Sequence, residues 1–189
     1  MKSPTIIAMV GMAGAGKTEL SRLFEQGGYS RIRFGDVTDE EVRRRGLPLN
    51  EANERAVREA LRQELGMAAY AKLNQPRIDE ALKQGPVVID GLYSWEEYLF
   101  LRERYQDQLA VTAVWSSPGT RALRLSTRGV RPLTREETLS RDRAEVENVS
   151  KAGPIAVADY MLINEGTFDE LKRQAWELLD ELKSNDATS

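Results

Sequence analysis

The most constraining feature of this chain is the segment Gly11-Met12-Ala13-Gly14-Ala15-Gly16-Lys17-Thr18, which directly follows an apolar run. It matches the pattern G-x-x-x-x-G-K-[ST] of a phosphate-binding loop (P-loop). Glycines let the backbone curl so that N–H groups point at phosphate oxygens, and the following helix adds the positive end of its dipole. The alternative is a flexible glycine turn. We predict that a nucleoside triphosphate binds here, at Gly11, Ala13, Gly14, Ala15, Gly16, Lys17 and Thr18.

The composition excludes several kinds of site. The chain has 189 residues, enough for one domain with a substantial core. It contains no cysteine and no histidine, which excludes disulfides, thiolate metal sites and histidine bases. Any metal must therefore be held by oxygen ligands. The net charge of −3 argues against binding through bulk positive charge, so we expect no nucleic-acid partner.

The hydropathy pattern argues against a membrane protein. No apolar run approaches the roughly 20 residues that a helix needs to cross a bilayer. The first predicted strand begins at Thr5, which leaves no room for a signal peptide before it. We therefore expect no membrane partner and a cytoplasmic location.

Short apolar runs alternate with helical patterns along the chain. The candidate strands are Thr5–Val10, a weaker Ser30–Phe34, Pro86–Asp90, Leu109–Trp115 and Asp159–Asn164. Three of these runs are continuously apolar, as in strands that are buried on both faces of a parallel sheet. The alternation indicates βαβ units with right-handed crossovers, and hence an α/β layered fold.

Capping patterns mark the helix starts. A Ser or Thr followed three positions later by Glu predicts capping boxes at Thr38, Ser94, Thr134 and Thr167. Asn50 is a candidate cap for the next long helix. The region between the second strand and Pro86 is predicted to form several helices, more than one crossover needs, and we expect them to form a cap beside the P-loop. The polar tail 184–189 is predicted to be disordered.

Two aspartates follow predicted strands. Asp90 ends an apolar run, where a P-loop fold can place a carboxylate beside Thr18 and a bound Mg²⁺; the alternative is a turn residue. Asp36 lies at the carboxyl end of the second strand, where α/β proteins bind ligands. Its candidate role is to orient an acceptor hydroxyl, and the alternative is a loop or cap residue.

Arginines cluster in two regions of the chain. Phosphoryl transfer spreads negative charge over the migrating group, and arginines on a closing lid would stabilise this charge and exclude water. We favour such a lid, with Arg128 and Arg141 as the candidate catalytic residues among Arg121, Arg124, Arg128, Arg131, Arg141 and Arg143. The alternative is a solvated helix face paired with Glu136, Glu137, Glu145 and Glu147. The second group is interpreted as the salt-bridged outer face of helices, and comprises Arg43, Arg44, Arg45, Arg55, Arg58 and Arg62. The alternative is that some of them contact an anionic acceptor.

The order of these motifs resembles that of the nucleoside monophosphate kinase superfamily. The resemblance extends from Thr5 to about Leu182 and rests on Gly11–Thr18, Gly35-Asp36, Val88–Gly91, the segment 121–143 and Ala158–Gly166. Within the superfamily, the chain is most similar to the uncharacterised adenylate-kinase-like and dephospho-CoA-kinase-like proteins. Arg141-Asp142, followed by the strand that leads into Asn164-Glu165-Gly166, is the closest local match.

The resemblance implies a three-layer P-loop kinase fold over residues 1–183, with a five-stranded parallel sheet. It also implies an acceptor-binding helical insert at about 36–84 and a small lid at about 126–140. ATP·Mg²⁺ would be the donor, with Asn164 and Gly166 near its adenine, and we include Arg124 among the nucleotide-binding residues. On the acceptor side the chain departs from adenylate kinases, since Asp39 and Leu92-Tyr93 stand where those enzymes have arginines.

We therefore predict a kinase that transfers the γ-phosphoryl group of ATP to a small-molecule acceptor. The acceptor would be a nucleotide or a nucleotide-like metabolite such as dephospho-CoA. Lys17, Asp36, Arg128 and Arg141 are the candidate catalytic residues, and Thr18 and Asp90 the candidate Mg²⁺ ligands. The alternative is an NTPase or nucleotide-dependent switch that acts on a protein partner. The sequence leaves monomer and homodimer open.

Overall fold

A computed structural model describes residues 3–129 and 132–187, with the side chains described up to residue 184. Five parallel strands form one sheet in the order β2-β3-β1-β4-β5. The strands are β1 (Ile6–Val10), β2 (Ser30–Arg33), β3 (Val87–Asp90), β4 (Leu109–Trp115) and β5 (Tyr160–Ile163). The five predicted strands are confirmed, and their ends differ from the prediction by no more than one residue.

Helices connect the strands and cover both faces of the sheet. They are α1 (Lys17–Gln26), α2 (Asp36–Arg44), α3 (Glu51–Leu65), α4 (Ala69–Ala81), α5 (Trp95–Tyr105), α6 (Pro118–Thr127), α7 (Arg135–Glu147), α8 (Ala152–Ala156) and α9 (Phe168–Ala187). The short 3₁₀ turn Gln106–Gln108 leads into β4.

The sheet separates two hydrophobic cores, because successive side chains of a strand point to opposite faces. Ile6, Ala8 and Val10 belong to the core that β1 shares with α2, α3, α4 and α5. Ile7 and Met9 belong to the core that β1 shares with α1 and α9. This arrangement confirms the three-layer α/β fold and explains why the residues of β1 are all buried.

The strand register brings the carboxyl ends of three strands to one edge of the sheet. Met9 of β1 pairs with Asp90 of β3 and with Thr112 of β4. The P-loop after β1, the Asp90 carboxylate and the loop after β4 therefore meet at the same place. Ligands of α/β sheets bind at this edge.

The chain between β2 and β3 forms α2, α3 and α4, within the region predicted as the helical insert. The side chain of Asn50 caps α3 by accepting a 2.9 Å hydrogen bond from the Asn53 N–H, as predicted. The capping box predicted at Thr38 is wrong, because α2 begins at Asp36 and Gly35 occupies its N-cap. The Thr38 hydroxyl instead hydrogen-bonds the Tyr70 hydroxyl, 2.5 Å away, and joins α2 to α4.

Two other predicted boundaries fall near the ends of helices. Residues 126–140, predicted as the lid, comprise the end of α6, the connection to α7 and the first half of α7. Arg131 lies outside the described residues. Helix α9 continues to Ala187, so the helix extends past Lys183, where the predicted tail begins. Throughout the described ranges, every helix is too short or too polar to span a membrane.

Candidate active site

The P-loop connects β1 to α1 and turns through glycines with positive φ. Gly14 has φ +79° and Gly16 has φ +104°, both in the region that side chains with a Cβ rarely adopt. A Cβ at Gly14 would also press against the Arg121 backbone and the Leu125 side chain, each 3.0 Å away. The glycines therefore serve both the turn and the close packing of the loop on α6.

Lys17, the first residue of α1, folds back over the loop that precedes it. Its ammonium donates hydrogen bonds to the carbonyl oxygens of Gly11 (2.8 Å) and Met12 (3.1 Å). Burial and the neighbouring Lys151 lower the pKa of Lys17 to about 8, while Glu145 and Asp90 counteract this shift. An ammonium at the end of a glycine-turned loop with this sequence pattern is suited to a polyphosphate.

Asp90 faces Thr18 across the carboxyl ends of β1 and β3. Thr18 Oγ1 lies 3.3 Å from Asp90 Oδ1, and the other carboxylate oxygen is paired with Arg31. Within the described ranges, no three acidic side chains are grouped so that they could hold a metal by themselves. The Thr18 hydroxyl and the facing oxygen of Asp90 nevertheless fit a Mg²⁺ ion whose remaining ligands come from phosphates and water.

Asn164 braces the back of the P-loop. Its side-chain amide donates a 2.8 Å hydrogen bond to the Ala15 carbonyl, and its oxygen accepts a 3.3 Å bond from Arg124. Arg124 also donates to the Ser116 hydroxyl (2.9 Å), which in turn bonds the Asn164 carbonyl (2.6 Å). Gly166 lies two residues further on, exposed in the turn before α9. Asn164 and Arg124 are thus brought together behind the loop, with Gly166 at the surface.

Arg121 has a structural position that the sequence analysis did not identify. Its guanidinium is buried, and it makes a bidentate ion pair with Asp142, with both N–O distances 2.7 Å. The same group donates to the Ala13 carbonyl (3.2 Å). Arg121 therefore ties α7 to the P-loop, which excludes it from a solvated helix face.

Glu145 and Lys151 are further residues of the site that the sequence analysis missed. Glu145 Oε2 accepts a 3.3 Å hydrogen bond from the Ala13 N–H and pairs with Lys151 Nζ at 2.9 Å. The pairing with an arginine that belonged to the alternative for the arginine cluster is present, since Glu145 pairs with Arg141 at 3.3 Å. Lys151 precedes α8 in an irregular segment where no motif marks it.

A cleft of about 850 Å³ opens from the P-loop toward the helical insert. Arg128, at the end of α6, and Arg141 of α7 both line it, as do Lys17, Thr18 and Asp90. Arg55 keeps the salt-bridged outer position that was predicted, because it is exposed and pairs with Glu59 at 2.8 Å on the rim of the cleft. The interpretation of Arg58 and Arg62 as outward-facing is wrong, because both line the cleft. Their neighbours there are Glu51, Glu54, Glu59, Tyr70 and Tyr93.

The acceptor-side aspartates occupy different positions from those expected. Asp36 is about half exposed and pairs with Arg33 at 2.6 Å, and it is absent from the described lining of the cleft. Asp39 lines the cleft and accepts a 2.9 Å bond from the same Arg33 nitrogen. Arg33 of β2 therefore places a guanidinium beside position 39, ion-paired with both aspartates.

Comparison with known proteins is consistent with this geometry. Residues 7–148 match the AAA domain family. A UPF0200 protein of Thermococcus kodakarensis is 37% identical over 183 residues, which cover 95% of this chain and 98% of the relative.

Solved structures show the same fold. TT1252 from Thermus thermophilus superposes with a TM-score of 0.68 at 21% identity, covering 96% of this chain and 99% of that one. A gluconokinase from Sinorhizobium meliloti superposes with a TM-score of 0.59 at 19% identity, covering 98% of this chain and 97% of that one. A shikimate kinase from Bacteroides thetaiotaomicron superposes with a TM-score of 0.61 at 17% identity, covering 94% of this chain and 98% of that one. The chain therefore belongs to the UPF0200 family, on a P-loop kinase fold.

Proposed function

We propose that the protein is an ATP- and Mg²⁺-dependent phosphotransferase that acts on a small-molecule acceptor. The observation that carries this proposal is the continuous cleft, which joins Lys17 and Thr18 at one end to Arg58 and Arg62 at the other. A phosphotransferase needs both ends, because donor and acceptor must lie in line. The fold is shared with a shikimate kinase and a gluconokinase, whose names indicate small-molecule acceptors.

The donor end would hold the triphosphate through backbone N–H groups of the P-loop and the Lys17 ammonium. Thr18 and Asp90 would hold Mg²⁺, which neutralises charge on the β- and γ-phosphates when bound. Asn164 and Arg124 support the loop from behind, and we assign the adenine to the side of the site near Asn164 and Gly166.

The transferring group would be stabilised by Arg128 and Arg141, which line the cleft between its two ends. We assign the orientation of the acceptor hydroxyl to Asp39, which lines the cleft directly. Asp36 would help to position Asp39 through Arg33, which forms ion pairs with both aspartates. No histidine base is needed, because the loose transition state of phosphoryl transfer requires little proton removal.

The acceptor would bind in the helical insert at 36–84, and residues 126–140 would close over the donor. We propose a nucleotide or nucleotide-like acceptor of the nucleoside monophosphate or dephospho-CoA type. Guanidinium groups recognise phosphate and carboxylate oxygens in fixed geometry, and Arg33, Arg58 and Arg62 supply three of them.

The test is coupled ADP release with Mg²⁺-ATP across a panel of nucleoside and deoxynucleoside monophosphates and dephospho-CoA. One acceptor should raise the rate at least a hundredfold, on the order of 3 kcal/mol of barrier. Lys17→Ala should abolish that response, whereas Lys83→Ala should retain it, because Lys83 pairs with Glu80 on the surface. A slow rate that no acceptor changes would contradict the kinase and favour the NTPase or switch.

A further inference from the structure

The Glu145 carboxylate lies against the P-loop itself. One of its oxygens accepts a hydrogen bond from the Ala13 N–H, at 3.3 Å. Backbone N–H groups of this loop are the donors that cradle phosphate oxygens in P-loop proteins. A side-chain anion therefore uses a donor that a bound nucleotide would otherwise use.

Cations surround this carboxylate on its remaining sides. Lys151 Nζ lies 2.9 Å from Glu145 Oε2, and Arg141 Nε lies 3.3 Å from Glu145 Oε1. Burial favours a higher pKa for Glu145, but Lys151 and Lys17 hold the pKa at about 2. The carboxylate is thus charged, and one loop N–H, two ammonium groups and a guanidinium act on it.

The carboxylate lies on the acceptor side of the loop. Its partner Lys151 lies 5.5 Å above the ring of Tyr93, and Tyr93 lines the acceptor half of the cleft. A phosphoryl group in transfer must occupy the space between the donor and acceptor halves. Among the phosphates of a triphosphate, the terminal one therefore comes nearest to the position of Glu145.

We propose that Glu145 is a built-in occupant of the terminal-phosphate position, which it yields when a triphosphate binds. The inference rests on the proposed function only in naming the displacing ligand. Glu145 keeps Lys17, Lys151 and Arg141 gathered around an anion position. A triphosphate displaces the carboxylate and takes over these cations, whereas a diphosphate lacks the terminal phosphoryl group and leaves the pairs of Glu145 with Lys151 and Arg141 in place. Glu145 is therefore a specificity-determining residue that weakens triphosphate binding relative to diphosphate binding.

The test compares affinities for Mg²⁺-AMPPNP and ADP in the wild type, in Glu145→Gln and in a matched control. Glu147→Gln is the control, because Glu147 lies on the same helix but is exposed and pairs with Arg143. Glu145→Gln should tighten AMPPNP binding at least fivefold and change ADP binding less than twofold, and Glu147→Gln should change neither. Equal changes for both ligands, or weaker AMPPNP binding in Glu145→Gln, would overturn the proposal.

A second measurement needs no nucleotide and separates this inference from the proposed function. Inorganic tripolyphosphate should raise the melting temperature of Glu145→Gln more than that of the wild type, because only the variant has an uncompensated cation cluster. An equal rise in both proteins would overturn the inference, whatever the acceptor panel shows. Glu145→Asp, which keeps the charge but shortens its reach, provides the same comparison if Glu145→Gln does not fold, and should again show the larger rise. If no acceptor in the panel raised the rate but the variant still showed the larger rise in melting temperature, the proposed kinase activity would be contradicted and this inference would stand.

Discussion

The side-chain amide of Asn164 donates a hydrogen bond of 2.8 Å to the Ala15 carbonyl, 149 residues earlier in the chain. Asn164 is buried, and it follows β5, whereas Ala15 belongs to the P-loop that follows β1. The bond fixes the rear of the loop to a strand that is not adjacent to β1 in the sheet. The shape of the loop therefore depends on a distant part of the sequence.

Replacing Gly16 should disrupt the loop through this contact. A Cβ at Gly16 would collide with the Asn164 amide nitrogen, and the residue has φ +104°. Gly28→Ala is a matched control, because Gly28 has φ +99° but nothing within 4 Å of the new Cβ. We expect Gly16→Ala to weaken AMPPNP binding at least tenfold. Gly28→Ala should leave AMPPNP binding unchanged and cost only about 1 kcal/mol of stability, because alanine adopts a positive φ less readily than glycine. Equal effects in calorimetric titration and thermal unfolding would contradict the role of the contact.

Triphosphate affinity should fall as the pH rises above about 8. The pKa of Lys17 is about 8 in the folded protein, so the ammonium that attracts phosphate is lost above this value. Titration of AMPPNP between pH 6.5 and pH 9.5 should show affinity that is constant at first and then decreases. Lys17→Arg should flatten this decrease, because a guanidinium remains charged throughout the range. An unchanged pH dependence in Lys17→Arg would assign the titration to another group.

Glu97→Gln should stabilise the protein at pH 8 but not at pH 4.5. Glu97 is fully buried, its Oε2 accepts from the Tyr93 N–H at 2.8 Å, and its Oε1 has no partner in the described part of the chain. Burial raises its pKa from 4.5 to about 7. Folding therefore becomes less favourable as the pH rises from 4.5 to 7. Above pH 7, the free-energy cost of burying the ionised Glu97 carboxylate is fully present.

The measurement for Glu97 is the melting temperature of wild type and variant across this pH range. At high pH, the melting temperature of the variant should exceed that of the wild type by roughly 2–4 °C for each kcal/mol gained in the free energy of unfolding. Glu103→Gln, an exposed change on the same helix, should show no such trend. A stabilisation that does not vary with pH would indicate a packing effect instead of a buried charge.

Removing the Arg62 guanidinium should affect the acceptor and leave the donor unchanged. Arg62 lines the insert side of the cleft, its guanidinium lies 5.5 Å above the Tyr70 ring, and its Nε is buried without a partner in the residues described. Once an acceptor is identified, Arg62→Ala should raise the KM for that acceptor at least tenfold, with the KM for ATP within twofold. Arg22→Ala, on the exposed face of α1, is the control. Similar increases in the KM for ATP and the KM for the acceptor would contradict the proposal that the cleft has a donor end and a separate acceptor end.

The sequence predicted the elements that depend on local pattern. The strands, the P-loop and the cap at Asn50 each rest on a short run of residues, and the structure contains all three. The Thr18–Asp90 pair also followed, because parallel strands end at a common edge. These features need no knowledge of how helices pack.

The features that the sequence did not predict depend on helix orientation. Arg58 and Arg62 could belong to either face of α3 until the packing of α2, α3 and α4 was known. Lys151 lies in an irregular segment without periodicity, and Glu145 looks like any helical partner of Arg141. Charged pairs on a helix are ambiguous in sequence, since the same spacing serves a surface and a cleft.

The central position of β1 has a consequence for how such a scaffold diversifies. Residues of β4 and β5 reach the P-loop from one flank, and those of β2, β3 and the insert reach it from the other. Four strand spacings separate β2 from β5, roughly 19 Å, and substitutions that far apart contribute additively to free energy. Natural selection can therefore alter one flank through many small steps without a compensating change on the opposite flank. In a scaffold with this strand order, the two flanks of the P-loop can therefore change independently of each other.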